Sequence, residues 1–198
     1  MKIRELNKYG IKLLFLATVL FVFHSNTFSQ PDLPTHENEA IDVFTYELEA
    51  MRILDIEGTA PSLHLIQPTE AGSAVSNVSV DLSWINYTSI VAEGLANKIT
   101  VVLSNLPPNF TTLKVEASVH TGTGDGIFGT KSTQLTLVST SAAQDIITAI
   151  GSCWTGDGIA NGHKLTYTWG ITPGVYEDAT SIAASSDVTI MYTIIAAN

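Results

Sequence analysis

The chain has 198 residues, of which 45% are apolar and 14% are charged, and its formal net charge is −10. This apolar fraction excludes a chain that is disordered throughout, and the negative charge, which repels phosphate backbones, argues against nucleic-acid binding. A single cysteine excludes an internal disulfide and a cysteine zinc cluster.

The N-terminal segment is typical of a secretory signal peptide. Four basic residues within the first 12 positions precede an apolar run over residues 13–23, which only Thr18 interrupts. This run is too short to span a hydrocarbon layer of about 30 Å. The small residues Thr27 and Ser29 place cleavage between Ser29 and Gln30, giving a signal peptide over residues 1–29. We therefore predict a secreted protein in the periplasm, at the cell surface or in the medium, with no transmembrane anchor in the mature chain.

Residues 30–40 are polar and contain two prolines, which predicts a flexible N-terminal tail. Residues 41–198 then form one domain. Without residues 1–29, the chain keeps five basic and 18 acidic residues and a net charge of −13, which favours solubility.

The segment that follows the tail fits two kinds of secondary structure. Phe44, Tyr46, Leu48 and Ala50 alternate with polar residues, which indicates a half-buried strand. The spacing of Ile41, Phe44 and Leu48 also fits one face of a helix. We favour the strand.

Period-two alternation predicts further strands over residues 62–67, 78–84, 98–104, 113–120, 134–139, 164–171 and 188–195. Gln144–Ile150 fits a short strand or one helical turn. Turns rich in Gly, Pro, Asn and Asp separate these segments, and no long helical period is present. The pattern predicts an all-β fold, a single immunoglobulin-like sandwich of about seven to ten strands. Trp84 and Trp169 fall on the inward positions of their strands and are expected in the core.

A short repeat marks two Gly-Asp segments. The order Thr-Gly-Asp-Gly-Ile occurs at residues 123–127 and again at 155–159. The simpler interpretation is two similar loops at one end of the sandwich, because Asp-Gly suits tight turns. The alternative is a calcium site, in which Asp125 and Asp157 supply carboxylates and the loops supply carbonyl oxygens.

Cys153 and Trp154 lie just before the second repeat. We expect Cys153 to be buried at a strand end and Trp154 to be exposed, where its ring would bind a sugar. These residues and the two Gly-Asp loops predict, as an alternative function, a monomeric carbohydrate- or calcium-binding module.

Sequence motifs of catalysis are missing. The chain has no G-x-S-x-G elbow and no H-E-x-x-H pair, and the histidines beyond residue 30 are widely spaced. We therefore expect no enzymatic activity and no cofactor other than a calcium ion, with a hydrolase as the remote alternative.

The C-terminal third resembles a known family. Residues 162–168 form a polar strand, Pro173, Gly174, Tyr176 and Asp178 follow in a P-x-G-x-Y-x-D turn, and residues 188–194 alternate as the last strand. This order is similar to the closing strands of the spore-coat-protein-U-like secreted pilins. The resemblance implies an immunoglobulin-like sandwich that is exported to the periplasm and assembled into a thin surface pilus through a chaperone and an usher.

Donor-strand exchange, which the resemblance implies, requires a flexible N-terminal segment with alternating apolar residues. The tail over residues 30–40, followed by Phe44, Tyr46, Leu48 and Ala50, satisfies both conditions. The alternative is that this segment is the first strand of its own sandwich. The predicted function is thus a secreted, non-catalytic structural or adhesive protein, a pilus subunit whose partners are further copies or other pilus subunits and a periplasmic chaperone.

Overall fold

The computed structural model describes residues 43–138, 140–180 and 187–197. The predicted signal peptide and the predicted tail lie outside the described residues. The chain divides into two units, residues 1–46 and 47–198. In the first unit, the described residues 43–46 belong to no helix or strand, and the Phe44 and Tyr46 rings contact each other with centroids 5.9 Å apart.

The described part of the second unit contains eleven strands and one short 3-10 helix (Tyr176–Asp178). The strands are β1 (Met51–Gly58), β2 (Val78–Ile90), β3 (Asn97–Leu103), β4 (Thr111–Ala117), β5 (Asp125–Gly126), β6 (Thr130–Lys131), β7 (Leu135–Leu137), β8 (Gln144–Ile150), β9 (Cys153–Trp154), β10 (His163–Ile171) and β11 (Ile190–Ala196). The predicted all-β fold is confirmed. The number of strands exceeds the expected range because three of them have only two residues each.

The strands form two antiparallel sheets that pack as a sandwich. The first sheet has the order β5-β9-β2-β10-β4-β7, and β1 pairs with the opposite edge of β2. The second sheet has the order β11-β3-β8-β6. The core between the sheets takes its fully buried side chains from β2, β3, β4, β8 and β10, among them Ile85, Ile99, Val115, Ile147 and Leu165.

Five predicted strands match observed strands within a few residues. The segments 98–104, 113–120, 164–171 and 188–195 correspond to β3, β4, β10 and β11, and segment 78–84 is the first half of β2. Of the two alternatives for Gln144–Ile150, the strand is confirmed. Segment 134–139 contains the shorter strand β7, and residue 139 lies outside the described residues. Alternation identifies these strands because each one has one side on the core.

A β-bulge in β2 reverses the side of the sheet that its residues face. Leu165 of β10 pairs with Ser83, whereas Tyr167 pairs with Val80. Three steps along β2 therefore oppose two steps along β10, so β2 carries one extra residue at this point. Val80 and the buried Ser83 both face the core, although they are an odd number of positions apart.

The bulge moves Trp84 out of the core. With the reversed alternation, Ile85 and Tyr87 are buried, and Trp84 lies on the outer face of the first sheet. Its ring lies 5.8 Å from Lys164 Nζ. The expectation that Trp84 is a core residue is therefore wrong. Trp169, which pairs with Val78 before the bulge, packs against the core as expected.

Two segments with a strand pattern are not strands. Residues 62–67 alternate in burial, and Leu63 packs against the core, but the segment pairs with no strand in the parts of the chain that the structure describes. Pro61 and Pro68 enclose it, and neither can donate a backbone hydrogen bond. Alternation in the sequence shows only that one side of a segment is buried, whereas a β-strand also needs a neighbouring strand to pair with.

The predicted strand over residues 44–50 is also wrong for this chain. The first strand begins at Met51, whose partner is Ile90, the last residue of β2. The β2 ladder ends there, so the residues before Met51 have no strand beside them. The predicted helix alternative is wrong too, because residues 43–50 have no helical structure.

Substitution of Ile85 tests how much the observed core contributes to stability. Its side chain is 0% exposed, so Ile85→Ala should lower the free energy of unfolding by about 2–5 kcal/mol. Ile66, which is 72% exposed, gives the matched control, and Ile66→Ala should change stability by less than about 0.5 kcal/mol. Urea denaturation measures both values, and equal losses in the two variants would contradict this core.

Candidate functional site

The two Gly-Asp repeats lie next to each other at one end of the first sheet. Asp125–Gly126 forms β5 and pairs with Cys153–Trp154 of β9, directly before the second repeat. Gly126 has φ +104°, and a Cβ at this position would lie 2.2 Å from the Ser152 carbonyl oxygen. The first repeat therefore needs glycine for close strand contact, and its Asp-Gly pair forms strand rather than a turn.

Asn161 joins the two repeats. Its Oδ1 accepts hydrogen bonds from the backbone N–H and the hydroxyl of Thr123 at 2.8 and 2.9 Å. Its Nδ2 donates to the carbonyl oxygen of Asp157 at 2.6 Å. Asn86 of β2 donates from Nδ2 to the Gly158 carbonyl oxygen at 2.9 Å. These contacts fasten the loop of the second repeat to both β2 and the first repeat.

The two carboxylates of the predicted calcium site are both exposed. Asp125 Oδ1 accepts the N–H of Gly126 at 2.8 Å. Within the described parts of the chain, no group of three or more His, Cys, Asp and Glu residues could hold a metal ion. Calcium binding by Asp125 and Asp157 therefore stays a prediction.

Calcium binding is tested by thermal unfolding. A site at Asp125 and Asp157 would raise the melting temperature when millimolar calcium is added, and Asp125→Asn with Asp157→Asn would abolish that rise. Asp187→Asn, outside the repeats, is the control. An unchanged melting temperature of the native chain would remove calcium from consideration.

Trp154 lies on the outer face of the first sheet and is 51% exposed, as the sequence predicts. Its neighbours across the sheet are Asp125 of β5 and Thr88 of β2, and Thr88 in turn pairs with Ile53 of β1. Directly paired residues point to the same face of a sheet. The four side chains therefore form one outward row.

A shallow depression of about 240 Å³ lies beside this row. Its lining includes Thr88, Ile90, Asp125, Ser152 and Trp154. We call it the Trp154 depression. It combines an aromatic ring, an aliphatic side chain, hydroxyls and one carboxylate, and it contains no basic side chain.

Cys153 faces the opposite way from Trp154 and is 5% exposed. The predicted burial of this thiol is confirmed. Burial raises its pKa to about 11, so the thiol stays protonated at neutral pH. The protonated form is a poor nucleophile and a poor metal ligand.

The sequence analysis missed a buried polar cluster between β2 and β10. His163 is 1% exposed and Tyr87 is 3% exposed. His163 Nδ1 lies 2.8 Å from the Ser118 carbonyl oxygen, and Nε2 lies 2.8 Å from the Tyr87 hydroxyl. Because a carbonyl oxygen only accepts, Nδ1 carries a proton. The Tyr87 hydroxyl also contacts the Phe128 carbonyl oxygen, so this oxygen and His163 Nε2 compete for its single proton.

The rings of His120 and Phe128 pack beside this cluster. The His120 ring stacks on Phe128 with centroids 3.6 Å apart, and it meets His163 edge-on at 5.9 Å. The signal for this cluster was present in the sequence, since His163 shares its parity with the inward residues Leu165 and Tyr167. His163 and Tyr87 are almost fully buried, which fits a role in holding the two strands together.

His163 makes stability depend on pH. Burial lowers its pKa below the usual 6.5, although the hydrogen bond to Ser118 opposes this shift. The unfolded chain therefore takes up a proton below about pH 6.5, whereas the folded chain does not until a lower pH. The free energy of unfolding should fall as the pH drops through this window, by about 1.4 kcal/mol for each unit between the two pKa values.

This effect is measured by urea denaturation at about pH 7.5 and about pH 5.5. His163→Gln should show a smaller loss of stability between the two pH values than the native chain. His64→Gln, at an exposed position, is the control and should keep the native pH dependence. The same loss in His163→Gln as in the native chain would assign the pH dependence to other groups.

The apolar residues proposed for a donor strand are exposed. Phe44, Tyr46 and Leu48 are 81%, 82% and 71% exposed, and Ala50 is exposed as well. Residues 43–50 pair with no strand in the described chain. Of the two alternatives for this segment, a first strand within its own sandwich is therefore not observed.

No family model, no curated protein and no solved structure matches the chain. Across the described residues, no helix has the length and apolar character that crossing a membrane requires.

Proposed function

We propose that this chain is a secreted, non-catalytic structural protein that assembles by lending residues 44–50 as a β-strand to another copy. The observation that carries the proposal is the exposure of Phe44, Tyr46 and Leu48. Large apolar side chains at alternating positions, without a partner strand in the described part of their own chain, are suited to strand addition. Secretion is supported by the signal-like residues 1–29, and the immunoglobulin-like character by the resemblance of the closing strands to secreted pilins.

We place the acceptor at the free edge of β11. Among the described residues, this strand has a partner on one side only, β3, and is the edge of the second sheet. Ile190, Tyr192 and Ile194 face the core but remain partly exposed. A seven-residue donor would match the seven residues of β11 and would cover these side chains.

The composition of the two long edges favours β11 over β1. β1 contains Arg52, Asp55 and Glu57, whereas β11 contains no charged residue and no proline. Charged residues on an edge strand hinder the addition of another strand. The acidic edge of the first sheet is therefore protected, and the edge at β11 is open.

The alternative function is a monomeric carbohydrate- or calcium-binding module. The exposed ring of Trp154 favours its carbohydrate form. An adhesive subunit would combine both properties, because the Trp154 depression lies on the first sheet and the proposed acceptor edge lies on the second.

Substituting serine at Phe44, Tyr46 and Leu48 tests strand exchange. In the native protein, an unboiled denaturing gel should show a ladder that collapses on heating, and the triple variant should run as a monomer. Because these side chains are exposed, the variant should keep the stability of the native monomer within about 0.5 kcal/mol per substitution. The matched control places alanine at Thr45, Glu47 and Glu49, which alternate with the apolar positions, and should keep the ladder.

A native protein that runs as a single band without heating, or a serine variant that still forms the ladder, would overturn the proposal. A serine variant that fails to fold would also count against it, because the segment would then belong to its own core.

A further inference from the structure

We propose that the Trp154 depression binds a neutral sugar, with the Trp154 indole as the stacking surface and Asp125 as the hydrogen-bond acceptor. The proposal does not depend on strand exchange, because the depression shares no residue with segment 44–50 or with β11. Its support comes from the geometry of the outer face of the first sheet.

The sheet fixes the backbone position of Trp154. Trp154 belongs to β9, which pairs with β5 on one side and with β2 on the other, and the preceding Cys153 is buried in the core. Since its backbone is fixed and its side chain has only two rotatable bonds, stacking of a ligand on the indole costs little conformational entropy. The electron-rich face of an indole attracts the positively polarised C–H groups that line the apolar face of a pyranose.

Polar groups for the sugar hydroxyls lie beside the ring. Asp125 uses Oδ1 to accept the Gly126 N–H, and its second oxygen makes no hydrogen bond to the described residues. The Thr88 hydroxyl has no hydrogen-bond partner among those residues either. An ionised carboxylate accepts hydrogen bonds, and a hydroxyl both donates and accepts them. This combination matches the hydroxyls of a sugar ring.

Charge restricts the ligand to a neutral one. The depression has a carboxylate and no basic side chain, and the chain carries a net charge of −10, so acidic sugars and phosphates are repelled. Ammonium ligands are bound by cages of several aromatic rings, whereas a single aromatic ring lines this depression. Its volume of about 240 Å³ is below the range of about 300–1,000 Å³ for drug-sized ligands, which suits one sugar unit of a longer chain.

The experiment uses the indole N–H resonances of the full-length protein in ¹H–¹⁵N NMR spectra. Three tryptophans give three such signals. The probes are cellohexaose, maltohexaose, mannohexaose and chitohexaose at millimolar concentration. We expect at least one of them to shift the Trp154 signal, while the Trp84 and Trp169 signals stay in place.

Variants test whether the sugar that shifts the Trp154 signal binds in the Trp154 depression. Trp154→Ala should weaken binding by roughly three- to tenfold, the effect of losing one stacked ring, and Asp125→Ala should also weaken it. Trp154→Phe, which keeps an aromatic ring, should retain part of the affinity. Trp84→Phe is the matched control on the same face of the sheet and should bind as the native protein does.

Three results would overturn the proposal. The first is the absence of a Trp154 shift with all four probes, and the second is native affinity in Trp154→Ala. The third is a shift with choline chloride and with none of the sugars, which would assign the depression to an ammonium ligand. Monomeric and strand-exchanged forms should bind alike, so failure of the sugar site leaves the assembly proposal unaffected.

Discussion

The extra residue in β2 is the constraint on which most of this structure depends. β2 has 13 residues and pairs with β1, β9 and β10. The bulge changes the face of every residue after Val80, so that Ile85 and Tyr87 enter the core. It also turns Thr88 outward, where it meets Trp154. One inserted residue thereby sets both the buried polar cluster and the outer row of side chains.

The buried cluster and the outer row meet in β2, where consecutive residues point to opposite faces of the sheet. Tyr87 points inward to His163, and its backbone N–H donates to the Thr155 hydroxyl at 2.9 Å. Thr88 points outward and pairs with Trp154. Thr155 therefore anchors the second Gly-Asp repeat to β2, and this anchor keeps the neighbouring Trp154 at a fixed place on the sheet. Disturbing the buried side at Tyr87 would also disturb the exposed side at Trp154.

Alternation in the sequence predicts those strands that carry no inserted residue of their own. In β4 and β10, residues such as Leu113, Val115 and Leu165 alternate regularly with polar ones, and the predicted segments agree with the observed strands. The prediction fails at Trp84, because a bulge depends on pairing between distant strands and leaves no local mark in the sequence.

The features of the candidate sites also divide into those that the sequence predicts and those that depend on pairing between distant strands. Exposure of Trp154 and burial of Cys153 were predictable, because a two-residue strand presents one residue to each side. The contact between Trp154 and Asp125 was not, since residues 29 positions apart meet only through the pairing of β5 with β9. His163 could have been found from its parity with Leu165, but its partner Tyr87 lies beyond the bulge.

The net charge of the chain opposes contact between copies through open sheet edges and exposed apolar side chains. The net charge of −10 repels other copies at long range, whereas the β11 edge itself is uncharged. Salt screens this repulsion over about 8 Å at physiological ionic strength, and strand pairing acts at a shorter range of about 5 Å. Because the pairing distance is shorter than the screening length, repulsion still acts where two strands meet, and it is weakest at an edge that carries no charged residue. The proposed acceptor edge at β11 meets this condition, whereas β1, which contains Arg52, Asp55 and Glu57, does not.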